Sequence, residues 1–568
     1  MTLEPSPLVV AVTAHRNLVE QEVPRITQAV RTFFKDLMSA YPNTPVTLMS
    51  ALAEGGDLLA ARVASELGLD LIVPLPMPLE LYREDFTNPD ALAEFEDLSS
   101  KGRVIELPLV EGSTPENCTK NSFERNRQYG QMGIFLSSHC QILLALWDGK
   151  PSDSLGGTAQ VVDYHMTDSM PGLTALKATT QQLLGRDEND LVYHVVCSRD
   201  EHNGKPETPL KPLEAYWLSS DRNNPRTTEM TEPYRRVFNQ MELFHVDAKR
   251  HWPKISQHDA DLVEPDTLTN QRDVDTNKLF KTADWLANYY HKRMRYSFRA
   301  TYTLAIGMGL AFIIYGNLPE NIVPLYIFLF LFVIGVGLFR IAQHRDWHRK
   351  YLDYRALAEG TRVQFYWQLA GIAKGSETQF AHDNFLQKKE VDLGWIRNVM
   401  RASSIPKERI ITRGRRIDEV AQAWVKDRES GQLSYYSRKA LQRDHMNRVT
   451  HLVGMSCLWT GICIAIALAV FHGQLSSRVE DPLLVLTGIL PLIAGIVEAY
   501  THKSAGNELV KQYQYMQRIF DNAKYQLDKA TTDQDKRTIL KALGDSALEE
   551  HTEWILMHRE RPLEHGKL

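Results

Sequence analysis

The sequence predicts an α/β domain on a doubly wound parallel sheet, followed by an all-α membrane region of two transmembrane hairpins with cytoplasmic helices. Three observations predict it. From Pro7 to about Cys197 short apolar runs alternate with helical patterns, as parallel strands with crossover helices require. Further on, four stretches avoid charge at close to the length needed to cross a bilayer. At 568 residues the chain is also too long for a single core.

Charged residues make up 24% of the chain and the mean hydropathy is −0.32, so the membrane signal is local and hidden by the averages. Net charge is −5, and no basic tract is long enough to track a nucleic-acid backbone, which excludes polymeric DNA or RNA as an expected partner. The five cysteines, Cys118, Cys140, Cys197, Cys457 and Cys463, show no CxxC or zinc spacing and read as reduced and structural. The N-terminus MTLEPSPLVVAV lacks a basic n-region and a cleavage site, so the first domain is expected to stay in the cytoplasm.

In chain order the strands are expected at Leu8 to Thr13, Val46 to Ser50, Leu71 to Pro76, Val104 to Leu107, Ile142 to Trp147 and Leu191 to Val196. Ligands of such sheets sit outside the carboxyl ends of the strands, so the residues there are the candidates. After the first strand stand Thr13, Ala14, His15 and Arg16; after the second, Gly55, Gly56 and Asp57 open a helix. After the fifth come Asp148 and Gly149, and then Gly156, Gly157 and Thr158 open another. Glycine pairs at helix N-termini suit phosphate, because no Cβ blocks the approach and the helix dipole favours an anion. Arg16 adds a charge-assisted contact. The structural alternatives are a plain turn for each Gly-Gly pair, packing for His15, a first-turn acid for Asp57 and a turn residue for Asp148.

The segments VAVTAHRNL, MSALAEGGDLLAARVASELGL, IVPLPMPLELYREDF and ILLALWDG…LGGTAQVV together resemble the SLOG superfamily, Rossmann-like domains related to the LOG phosphoribohydrolases and the DprA proteins. The match spans roughly Leu8 to Cys197. DYRALAEGTR, the WIRNVMR segment and EEHTEWILMHRERPLE resemble SLATT-type paired-helix effector modules. The resemblance implies a bacterial defence or stress effector: the SLOG domain senses a nucleotide or cyclic-oligonucleotide-like signal, and the membrane region then permeabilises the inner membrane. It calls for no cofactor beyond that ligand. Two departures matter. Ala14 stands where the family commonly has Gly. Where the LOG hydrolases carry PGGxGTxxE, here Gly157-Thr158 is followed by Ala159, Gln160 and Val161, so the acid is absent and binding is favoured over hydrolysis.

The spans are expected at Ala300 to Pro319, Asn321 to Phe339, Val449 to Phe471 and Pro482 to Val497, the last short enough to need Glu498, Ala499 and Tyr500. Lys292, Arg293, Arg295 and Arg299 precede the first, and Arg340, Arg345, Arg349 and Lys350 follow the second. Arg438, Lys439, Arg443 and Arg448 precede the third, and Lys503 follows the fourth, against a lone Arg478 in the second outer loop. The positive-inside rule therefore places both termini in the cytoplasm of a multi-pass inner-membrane protein. The hairpins read as an internal repeat, each leaving into a Leu/Tyr-striped helix that packs on its counterpart or on a neighbouring subunit in a homo-oligomer. His451 and Glu498 are the ionisable residues nearest the hydrocarbon, at its cytoplasmic edge.

The expected organisation is 1–200, ligand-binding domain; 201–290, adaptor; 291–374, first hairpin and helix; 375–448, cytoplasmic helical region; 449–568, second hairpin and C-terminal helices. Three functions remain open: a ligand-gated membrane effector, a membrane-tethered nucleotide or NAD N-glycosidic hydrolase, and a small-solute transporter. The missing glutamate weighs against the second, and the scarcity of polar breaks in the spans against the third.

Overall fold

The computed structural model describes residues 5–152, 154–170, 172–173, 190–221, 225–263, 268, 270–317, 321–372, 385–386, 391–405, 417–426, 431–471, 475–503 and 506–559. The chain divides into two compact units, one of Met1–Thr282 with Glu359–Gly414, the other of Ala283–Ala358 with Arg415–Leu568.

The first unit is built on an eight-stranded sheet of order β4-β3-β2-β1-β5-β6-β7-β8. Six strands are parallel: β1 (Leu8–Ala14), β2 (Val46–Met49), β3 (Asp70–Leu75), β4 (Arg103–Glu106), β5 (Ile142–Trp147) and β6 (Val192–Val196). These lie where the apolar runs predict them, with ends differing by a residue or so. Between them run α1 (Val23–Ala40), α2 (Gly56–Glu66), α3 (Leu79–Arg83), α4 (Pro89–Lys101), α5 (Phe123–His139) and α6 (Thr158–Thr167).

The strands are continuous apolar runs because both faces are covered. Val9 and Ala11 belong to a core with Phe135 and Leu136 of α5 and Val161 and Val162 of α6, while Val10 and Val12, pointing the other way, are equally buried. Val192 of β6 lies in that core. Its neighbour Tyr193 therefore faces the opposite side, where it stacks on Phe33 of α1 with ring centroids 4.3 Å apart.

Residues 201–290, read from the sequence as an adaptor, largely belong to this unit. Strand β7 (Ala215–Leu218) pairs antiparallel with β6, and β8 (Arg226–Thr227) with β7. Helix α7 (Glu232–Ile255) follows, and its Glu242 takes hydrogen bonds from Asn43 N–H (3.0 Å) and the Thr44 hydroxyl (2.7 Å) at the entry to β2. The region 375–448, expected to be one helical layer beneath the membrane, is likewise divided. Helix α11 (Gly394–Ser404) packs on the sheet: Ala402 and Ile405 enter the core beside Phe135, and Arg401 donates to the Cys140 carbonyl at 3.1 Å. Phe380 lies outside the described residues, as do 560–568 of the tail.

The second unit takes in the hydrophobic part of α8 (Gln271–Asn317), then α9 (Val323–His344), the start of α10 (Trp347–Leu369), α12 (Ile417–Ala421), α13 (Gln432–Val470), α14 (Ser477–Lys503), α15 (Gly506–Lys529) and α16 (Asp533–Arg559). Four of its helices are long and apolar enough to cross a membrane. The fourth span, short in the sequence reading, lies within a 27-residue helix with Pro482 and Pro491 inside it. Small residues let these helices approach: a Cβ on Gly461 would stand 3.1 Å from Pro491, and one on Gly309 2.3 Å from the Leu492 side chain. His451 and Glu498 are exposed on helix surfaces. The aromatic stripe of α15 packs within the unit, with Tyr513 and Phe520 against Tyr436 at 6.2 and 5.5 Å between ring centroids.

Candidate ligand-binding site

The strand order steps outward from β1 to β4, then returns to the other flank of β1 at β5. In a sheet of this order a ligand crevice is expected at the carboxyl ends of the two central strands, where the loops leaving β1 and β5 both begin. His15 N–H donates to Leu146 O at 3.0 Å and holds the two strand ends together; Gly56 N–H donates to His15 O at 3.0 Å and draws the start of α2 against them.

Both Gly-Gly pairs have a packing reason to be glycine. Gly55 has φ +93°, and a Cβ on it would fall 2.0 Å from the Arg16 carbonyl oxygen; one on Gly56 would fall 2.5 Å from Ala14 Cβ. Ala14 is thus packed against Gly56 of the opposite loop. Gly156, at φ +79°, would place a Cβ 2.4 Å from Tyr129 Cβ on α5. Both N–H groups of this second pair are engaged within the protein. Gly156 N–H donates to Gln160 Oε1 and Gly157 N–H to Ser154 O, each at 3.0 Å. Thr158, half-buried, is the first residue of α6.

Arg16 joins the two loops. Arg16 is an exposed residue; its guanidinium lies 5.6 Å from the Tyr129 ring centroid and reaches the Tyr129 hydroxyl at 3.4 Å. That hydroxyl also bonds Asp85, which is held at 3.0 Å by the buried guanidinium of Arg125. Arg125 in turn donates to the carbonyls of Cys118 (2.7 Å) and Leu81 (2.6 Å). Arg16 is therefore a cation at the mouth, set on a rigid base.

Asp57 lies behind it in the first turn of α2. It is only 5% exposed, and its Oδ1 has no hydrogen-bond partner. Burial pushes its pKa up to about 7, although Arg16 and the N–H groups of Ala53 and Ala14 act in the opposite direction. The neighbouring Tyr82 hydroxyl is committed to Ala51 O at 3.1 Å. Buried carboxyls shifted this far by their surroundings are more frequent at functional sites than elsewhere.

The remaining candidates form a second network. His15 Nε2 accepts a hydrogen bond from the Asp148 N–H at 3.1 Å when unprotonated, and when it carries a proton it donates instead to Asp148 Oδ1, also at 3.1 Å. Arg199 Nε donates to Asp148 Oδ2 at 3.0 Å and Lys150 N–H to Oδ1 at 3.2 Å. Burial raises the pKa of Asp148, but His15, the Lys150 N–H and Arg199 outweigh it and hold the carboxyl below the usual range. Gly149, at φ +82°, packs against Leu210. Thr13 is 7% exposed and sits within β1 opposite Ala145, beneath the crevice.

The sequence reading did not single out Tyr82, Asp85, Arg125, Tyr129 or Arg199. Arg199 follows β6 and falls to the same end-of-strand rule that found Asp148. Tyr129 has no local signal, because it stands mid-helix and reaches the site only through the fold. Comparisons of the chain with protein families, curated proteins and solved structures find no match. Fold and site define a class: a mainly parallel sheet domain with charged and polar side chains gathered at its strand ends, in one chain with four helices, among the described residues, of membrane-crossing length and hydropathy.

Proposed function

We propose that the chain is a membrane-embedded effector of a bacterial defence or stress system. Its N-terminal domain, read as a Rossmann-like doubly wound fold of the SLOG type, binds a nucleotide-derived anion. Its four apolar helices, read as two SLATT-like hairpins with both termini cytoplasmic, then permeabilise the inner membrane. The observation that carries the reading is the meeting of both glycine loops at Arg16 and Tyr129. To act as a switch, the ligand must bind the permeabilising arrangement more tightly than the resting one.

Binding rather than hydrolysis is supported by the position that matches the LOG glutamate. It holds Val161, which is 1% exposed within the core and offers no acid or base. The test is dye release from liposomes that contain the full chain and encapsulated calcein, challenged with the nucleotide fraction of stressed bacterial cells. Release is expected with the wild type and not with Arg16→Ala. No release, or equal release from both, counts against the proposal.

A further inference from the structure

The first unit holds a cavity of about 360 Å³ that takes no part in the site at Arg16. Its lining includes Phe33 and Asp36 of α1, Tyr41 just after that helix, Tyr193 of β6, Trp217 of β7 and Arg235 of α7. Helix α1 ends, and β2 and β6 begin, at the amino ends of the parallel strands, so the cavity sits toward the end of the sheet opposite Arg16. Its volume falls within the roughly 300–1,000 Å³ typical of small-ligand pockets. The aromatic walls are held in place by one another. Tyr193 stacks on Phe33 with centroids 4.3 Å apart, and Trp217 meets Tyr193 edge to face at 4.8 Å. Tyr193 and Trp217 nevertheless stay partly exposed.

The charge around the cavity has a definite sign. Asp36 is exposed and forms no salt bridge among the described residues. Arg235 is the cation of the lining, but it lies 3.7 Å from both Glu229 and Glu232 and donates to Met230 O at 3.0 Å. Three carboxylates therefore stand against one guanidinium. The negative end of the α1 dipole adds to them, because Ala40 of its last turn lines the cavity and that turn carries no basic residue. An acid as near a helix C-terminus as Asp36 opposes the dipole, and a bound cation offsets both. We infer that this cavity binds a small organic cation, an alkylammonium free in solution, with its charge between Asp36 and the rings of Tyr193 and Trp217. The rings attract positive charge through their quadrupoles and cover the alkyl groups, while Asp36 supplies the counter-charge. A strongly hydrated metal ion gains little from the rings, and an anion meets the wrong sign.

The experiment is a ligand-observed NMR titration of the full-length protein in dodecyl maltoside at matched ionic strength. The probes are choline, its uncharged isostere 3,3-dimethylbutan-1-ol, and glycerophosphocholine. The wild type is expected to bind choline about fivefold or more tighter than the isostere, as for a partly desolvated cation on aromatic rings. Asp36→Asn, a change at an exposed position, should fold normally, lose about threefold in choline affinity and keep its affinity for the isostere. Trp217→Leu, where it folds, should lose choline affinity too. Glycerophosphocholine, which carries the phosphate of a lipid headgroup, should bind no tighter than choline; tighter binding would assign the cavity to a lipid headgroup and overturn the inference of a free cation. Equal affinity for choline and the isostere, an undiminished preference in Asp36→Asn, or no binding of choline to the wild type overturns it as well. The anion site at the other end of the sheet stands or falls separately.

Discussion

Gly156 rests on Tyr129 so closely that a β-carbon on the glycine would fall 2.4 Å from the tyrosine Cβ, and Arg16 lies over the same aromatic ring. The contact couples the loop before α6 to the cation at the crevice mouth. Gly156→Ala combines a left-handed backbone with a clash against a fixed helix, and is expected to destabilise the N-terminal domain by about 2–4 kcal/mol. Gly112 is the control: its φ is +84° with nothing near the missing Cβ, so Gly112→Ala should cost only about 1 kcal/mol. Thermal unfolding of the two variants side by side gives the comparison.

Removing the cation should separate binding from folding. Arg16 is exposed at the mouth, so Arg16→Ala should change stability by no more than about 0.5 kcal/mol. It should nevertheless abolish any rise in melting temperature that phosphate-bearing ligands produce in the wild type. A thermal-shift titration reads both effects. A large loss of stability in the unliganded variant would mean that Arg16 is structural.

The buried carboxyl gives a pH signature with a definite sign. The pKa of Asp57 is raised from 3.8 to about 7 in the folded chain, so the native state holds a proton that the unfolded state releases. This contribution to stability is full below pH 4, declines as pH rises toward 7 and is gone above it; the total amounts to about 4 kcal/mol. Asp57→Asn should flatten that decline and be more stable than the wild type at pH 8. A stability profile identical to wild type between pH 4 and 8 would contradict the assignment.

Three buried histidines of the same unit act the other way. Burial lowers the pKa of His139 and His245 to about 3 and that of His194 to about 4. The unfolded chain binds protons below about pH 6.5 that the folded chain refuses, so stability falls on acidification. Each histidine contributes up to about 1.4 kcal/mol per pH unit between pH 6 and 4, and Asp57 offsets only one of the three. Melting temperature should therefore drop from pH 6.5 to 5, and His245→Gln should reduce the slope by about one proton's worth.

The parallel strands were legible because both faces are buried, which leaves uninterrupted apolar runs such as Ile142–Trp147 with little ambiguity of type. The candidate residues were legible where the end-of-strand rule applies, and Arg16, Gly55, Gly56 and Asp57 do meet. Strand β7 was not, because four residues between proline-rich loops carry no period of their own and are recruited by the edge of β6. Helix α11 reads in sequence as part of a cytoplasmic helical layer; only the three-dimensional fold places Ala402 and Ile405 beside Phe135. The base beneath Arg16 stayed hidden for the same reason, since Asp85, Arg125 and Tyr129 are brought together by helix packing across about 40 residues of sequence.

Ligand binding at the carboxyl ends of β1 and β5, proposed above, requires Arg16 to hold a phosphate-bearing small molecule there. Mass spectrometry of small molecules extracted from the full-length protein, purified in parallel with Arg16→Ala, tests it most directly. The account predicts a nucleotide-derived compound enriched with the wild type and missing from the variant. No such compound in the wild type, or the same amount in both preparations, would contradict it.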